Sequence, residues 1–135
     1  MLDDVCKNIN ASGKICNLTV NTLTGQNVRL KCQKVFDLEV AAMHSDQWYP
    51  IPLAYSRDFI SHRDPLPTRE LVSSFQHLAP IADEIHPPLD IPVGLLLGVN
   101  CADVFTATHV IPSYNTGLFA QKTVLGWTAF SPHSM

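Results

Sequence analysis

Between Cys16 and Ala42 the chain alternates with a strictness that only an extended backbone can use. Cys16, Leu18, Val20 and Thr22 fall on one side, and Asn17, Thr19 and Asn21 on the other. Side chains of a strand point alternately to opposite faces, so a period of two means a half-buried strand. The alternation resumes beyond Leu23-Thr24-Gly25-Gln26-Asn27. Val28, Leu30, Cys32, Phe36, Leu38, Val40 and Ala42 keep to even positions, interrupted only by Lys34. Arg29, Lys31, Gln33, Asp37 and Glu39 face the other way. Two such runs joined by a Gly-containing turn predict a long β-hairpin. Residues 16–22 should pair antiparallel with about 28–34, and Cys16, Leu18, Val20, Val28, Leu30 and Cys32 should share one face.

The flanking segments fit a mainly β protein with short helices. Leu2, Val5, Cys6 and Ile9 recur at helical spacing with Asp3 and Asp4 in the first turn, where the helix dipole favours acids, and Gly13 is placed to end that helix. Met1 precedes the first apolar position directly, without a capping residue, so the sequence reads as starting partway into a structure. Trp48-Tyr49-Pro50-Ile51-Pro52-Leu53 carries two prolines and so predicts an edge strand or an extended segment. After the polar stretch 56–67, Thr68 is placed as the N-cap of a helix bearing Leu71, Phe75, Leu78, Ala82 and Ile85, which Pro80 must kink or split. Pro87-Pro88 stops it. Val93 to Leu97 is a continuous apolar run, as expected of a strand buried on both faces, closed by Gly98. Ala107–Ile111 and Leu118–Phe130 read as strands, the second with a bulge at Gly126.

Composition removes several function classes. A chain of 135 residues, 46% of them hydrophobic, has the size of one domain that buries roughly two thirds of its unfolded surface, so residues 1–135 are expected to form one core without staples. The run Val93–Val99 is far shorter than the ~20 residues of a membrane helix, and Met-Leu-Asp-Asp is not a signal peptide, which predicts a soluble intracellular chain in an unspecified compartment. The net charge is −3, and Lys and Arg are scattered rather than striped, which disfavours nucleic-acid binding. Cys6, Cys16, Cys32 and Cys101 form no CxxC pair, and neither they nor His44, His62, His77, His86, His109 and His133 show a metal-binding spacing. The thiols are expected to act as small apolar groups, the histidines to sit at surfaces and caps, and no metal or cofactor is called for. The triplets Asn10-Ala11-Ser12 and Asn17-Leu18-Thr19 matter only in a secreted protein. A Gly-x-Ser-x-Gly nucleophile elbow and a phosphate-cradling Gly-rich loop are both absent from the sequence.

A series of short strings then gains meaning from its order. It comprises Asp4-Val5-Cys6-Lys7, Leu23-Thr24-Gly25, Ile51 to Arg57, Leu66-Pro67-Thr68, His77 to Ala82, Glu84-Ile85, Val93 to Cys101, Val110-Ile111-Pro112, Phe119-Ala120 and Thr123 to Trp127. In this order and spacing the chain resembles, over nearly its whole length, the peptidase region of Pao/BEL-type retrotransposon polyproteins. The resemblance implies a retropepsin-like aspartic peptidase fold, a small closed β-barrel with a flap hairpin and a short helical insertion. Thr22, Leu23, Thr24, Gly25, Gln26 and Asn27 would form the flap tip that opens for a peptide and closes over it. Leu95, Leu96, Leu97 and Gly98 would form the buried strand that threads beside the catalytic loop, with Gly98 admitting another backbone closely. The implied partners are a peptide or polyprotein substrate and a second copy in a homodimer.

One departure from the family pattern decides activity. An aspartic peptidase needs two carboxylates sharing one proton, each from an Asp-Thr/Ser-Gly-like loop. Every Asp here is followed by something else: Asp3-Asp4, Asp4-Val5, Asp37-Leu38, Asp46-Gln47, Asp58-Phe59, Asp64-Pro65, Asp83-Glu84, Asp90-Ile91 and Asp103-Val104. By the family pattern the loop would precede Met1, so the fold is expected to lack its first strand and residues 1–135 to lack catalytic residues. Two other readings stay open, a domesticated non-enzymatic module that binds a peptide or serves a structural role, and a protease rebuilt around Asp3 or Asp4.

Overall fold

The computed structural model describes residues 1–11, 13–20, 28–60 and 66–132. The described residues are mainly β, with two three-stranded sheets, three short α-helices and short 3-10 turns, and form no closed barrel. The chain divides into two compact units, the first made of residues 1–40, 50–61 and 92–101, the second of 41–49, 62–91 and 102–135.

The first unit begins with helix α1, Asp3–Asn8, whose N-cap Leu2 supplies no side-chain cap, as the uncapped start of the sequence predicts. It ends differently from expectation. Asn10, at φ 54°, takes the left-handed position, Ala11 N–H donates to Cys6 O at 2.8 Å and Asn10 N–H to Lys7 O at 3.2 Å. This pair of bonds is a Schellman ending with Asn in the place usually held by Gly. Gly13, expected as the terminator, is instead where two backbones meet, since a Cβ there would lie 1.6 Å from Lys34 O.

The hairpin forms antiparallel as predicted, but its register lies two residues from the expected one. Pairing 16–22 with 28–34 would set Cys16 opposite Lys34, whereas an even shift keeps the same residues on each face. Strand β1, Lys14–Val20, pairs antiparallel with β2, Val28–Val40, matching Cys16 with Cys32, Leu18 with Leu30 and Val20 with Val28. The expected alternation fails farther along β2. Val35 is buried and Phe36 is 56% exposed, the reverse of the even-position pattern. The ladder with β1 keeps its phase through Lys34, which is half-buried opposite Lys14, so the reversal falls beyond that last pair. Asp37, at φ 60°, sits at the irregularity, after which Leu38 and Val40 are again half-buried. Strand β3, Tyr49–Tyr55, is an edge of the order β1-β2-β3, as its two prolines require.

The second unit holds a compact core of Val72, Leu78, Ile81, Ala82, Ile85, Leu118, Ala120 and Ala129, with Leu71, Phe75, Ile111 and Trp127 packed at its margin. Helix α2, Arg69–Ser73, starts where predicted, with Thr68 Oγ1 accepting from Leu71 N–H at 3.3 Å. The helical segment is split, not kinked. It re-forms as a 3-10 helix, Ala79–Glu84, with Pro80 in its first turn, where a missing N–H costs nothing. Arg69 clamps the two pieces through Nε and Nη2, which donate to Ile85 O at 3.1 and 2.7 Å. Helix α3, Ala102–Phe105, leads to the second sheet.

That sheet has the order β4-β5-β6, with β4 at His109–Ile111, β5 at Phe119–Thr123 and β6 at Gly126–Phe130. The segment predicted as one strand with a bulge is therefore two strands. Gly126 adopts φ +117° beside the tight turn that pairs Thr123 with Gly126. Leu125 N–H donates to Thr123 Oγ1 at 3.1 Å and helps close the turn. Ala120 and Ala129, cross-strand partners, present the small buried face on which Leu78 and Val72 pack.

Candidate functional site

Thr22, Leu23, Thr24, Gly25, Gln26 and Asn27, expected as a flap tip, lie outside the described residues. Their stem is described, and it is the β1–β2 ladder.

The segment expected as a doubly buried strand is placed otherwise. Residues 92–98 belong to no strand, Leu96 is 66% exposed, and Leu95 and Leu97 are only half-buried. Burial on both faces requires strands on both sides to satisfy the backbone. Here Leu2 N–H donating to Gly94 O at 2.8 Å is the backbone bond that holds the segment. An apolar run carries no period, so nothing in it distinguishes a central strand from an extended segment. The crowded glycine is also a different one. A Cβ on Gly94 would come within 2.6 Å of Val5 Cγ2, whereas at Gly98 the nearest atom, Asn100 Oδ1, is 3.9 Å away. Immediately after Gly98 the chain makes a 3-10 turn, Val99–Cys101, anchored by Asn100 Nδ2 donating to Leu53 O at 3.1 Å and by burial of Cys101.

These contacts gather around the first residues. Met1 is buried, and its amino group donates to Tyr55 O at 2.6 Å. Arg57 N–H donates to Met1 O at 2.7 Å and Asp3 N–H to Arg57 O at 2.7 Å, making a parallel bridge between Leu2 and Arg57. The extended backbone at Leu2 thus bonds Arg57 on one side and Gly94 on the other. Desolvation holds the amino group's pKa below its ordinary value. Asp3 and Asp4 occupy the first turn of α1, where they complement its dipole.

The thiols are more informative than the sequence reading allowed. Cys16 and Cys32 face each other across the hairpin with their Sγ atoms 3.4 Å apart, Cys32 buried and Cys16 half-exposed. Burial is the main cause that pushes the Cys32 thiol pKa up, and the hydrogen bond with Cys16 adds to it. Burial likewise raises that of Cys6. The expected pairing of 16–22 with 28–34 would set position 16 opposite 34; the observed ladder sets it opposite 32.

His77 is held by structural contacts. His77 Nε2 lies 2.8 Å from Leu118 O, and its ring meets those of Phe75 and Tyr114 edge-on. Among the described residues no group of three or more His, Cys, Asp or Glu is arranged to hold a metal ion, and no helix is long and apolar enough to cross a membrane. No family model, curated protein or solved structure matches the chain.

Proposed function

We propose that residues 1–135 are a retropepsin-like aspartic peptidase domain of the Pao/BEL polyprotein type, without hydrolytic activity of their own. The ordered series of strings from Asp4-Val5-Cys6-Lys7 to Trp127 carries this reading. A mainly β architecture and an antiparallel β1–β2 hairpin are compatible with it. In such an enzyme the flap stem closes over an extended peptide, and two Asp loops, one from each copy of a homodimer, share a proton so that one carboxylate activates water while the other protonates the carbonyl oxygen. Residues 1–135 contain no Asp-Thr/Ser-Gly-like triplet to supply such a loop, so pairing two copies cannot create the dyad.

Peptide hydrolysis by the purified 135 residues tests the claim, with no turnover expected at acid or neutral pH. Pepstatin-sensitive cleavage removed by Asp3→Asn or Asp4→Asn would overturn it and assign the chemistry to α1. A second reading, peptide binding without catalysis, is favoured by the edge position of β1 with Ile15 64% exposed on it. Backbone amide shifts confined to β1 on titration with extended peptides would support that reading.

A further inference from the structure

Cys16 and Cys32 are directly opposed in the β1–β2 ladder, both are free thiols, and their sulfurs are 3.4 Å apart. Opposed residues of an antiparallel pair have Cα atoms about 4.5–5.5 Å apart, inside the range of about 4.4–6.8 Å that a disulfide spans. Forming the bond requires the sulfurs to approach by roughly 1.4 Å, which rotation about the two Cα–Cβ bonds can supply. Cys6 and Cys101 are each buried, and the Cys101 sulfur donates to Asn100 Oδ1 at 3.7 Å.

We propose that Cys16 and Cys32 form a modification site, a cross-strand dithiol that closes to a disulfide by exchange with a small-molecule disulfide and reopens with a dithiol reductant. The inference stands independently of the peptidase reading. Cys16, the half-exposed partner, loses its proton to solvent and attacks one sulfur of the oxidant RSSR, forming a Cys16–SR mixed disulfide and expelling RS⁻, which is protonated. Cys32 then loses its proton and attacks Cys16 Sγ, expelling the second thiolate. Two protein thiols are oxidised and one RSSR is reduced to two RSH. The order follows from exposure, because Cys16 is reachable from solvent and Cys32 is buried. Closing the link joins two positions 16 residues apart at the register the hairpin already has, so it restricts the unfolded chain without redirecting the folded one.

The test is incubation of the full 135-residue chain with excess oxidised glutathione, then alkylation under denaturing conditions and peptide mapping by mass spectrometry. The expected product is lighter than the reduced chain by about 2 Da, the two thiol hydrogens, before alkylation. It should carry one Cys16–Cys32 linkage with Cys6 and Cys101 alkylated, and its urea midpoint should rise and return on addition of dithiothreitol. Cys16→Ser should remove both the linkage and the midpoint shift while leaving Cys32 as a free thiol. Four alkylated cysteines, a persistent glutathione adduct on Cys16, or a linkage to Cys6 or Cys101 would each overturn the proposal.

Discussion

Substituting Gly13 by Ala introduces one methyl group into a place where backbone already stands. The new Cβ would lie 1.6 Å from Lys34 O, 2.5 Å from Lys34 C and 3.2 Å from Val35 N. None of these atoms is the end of a flexible side chain, so β2 or the lead into β1 must move by more than an ångström. That movement breaks the Gly13 N–H bond to Gln33 Oε1, 3.1 Å in the folded protein, and opens the terminal Lys14–Lys34 pair. Overpacking typically costs about 1–3 kcal/mol and each lost hydrogen bond about 0.5–1.5 kcal/mol. Against this, Ala reduces the unfolded chain's entropy and returns about 0.4–1 kcal/mol. The expected net loss is roughly 1–5 kcal/mol. Equilibrium urea unfolding checks it, with a lower midpoint at unchanged slope as the expected outcome. An unchanged or higher midpoint would refute the close approach of the two backbones.

Gly126→Ala isolates the other kind of glycine, since nothing lies within 4 Å of its Cβ position but its φ is +117°, and thermal unfolding should show a loss of about 1–3 kcal/mol from backbone strain alone. Leu78→Ala, at a side chain with 0% exposure, should cost about 2–5 kcal/mol, whereas Leu96→Ala should cost under about 0.5 kcal/mol, both by urea titration. Stability should also vary with pH in two windows. The Met1 amino group is held below its ordinary 8.0 by desolvation, so the unfolded chain binds more protons there and stability should climb as pH rises to 8.0. The Cys6 and Cys32 thiols are raised above 9.0 by burial, so stability should fall as pH rises past 9.0 and the unfolded thiols ionise first; a flat profile across both windows would contradict these shifts.

Local rules made the hairpin legible. Its alternation puts Cys16, Leu18, Leu30 and Cys32 on one face, because a slip by one residue would turn every side chain over; a slip by two keeps the faces, and the ladder lies two residues from the expected register. Thr68 was legible for a similar reason, a hydroxyl poised to accept from an N–H three residues on. What could not be read depended on partners distant in sequence. Val93–Leu97 has the composition of a central strand but pairs with no strand among the described residues, and the run lies half-exposed. Gly13 and Asn10 exchanged roles because helix termination accepts Asn in the left-handed region, while close approach of backbone to Lys34 accepts only Gly. Val124-Leu125 has none of the residues that announce a turn, and only the positive φ of Gly126 next to it makes the reversal possible. The Cys16–Cys32 pair depends on that two-residue choice, which alternation alone does not make.

The most direct measurement is gain of activity on extending the chain upstream of Met1 with a strand and loop bearing a family-like Asp-Thr-Gly triplet. The extension would replace the amino group that donates to Tyr55 O with a peptide N–H and so remove a desolvated charge. The account predicts that the extended chain dimerises and cleaves a peptide library in a pepstatin-sensitive manner, that Asp→Asn in the grafted triplet abolishes this, and that residues 1–135 alone cleave nothing. A folded, dimeric extended chain without hydrolysis, or pepstatin-sensitive hydrolysis by residues 1–135 alone, would contradict it.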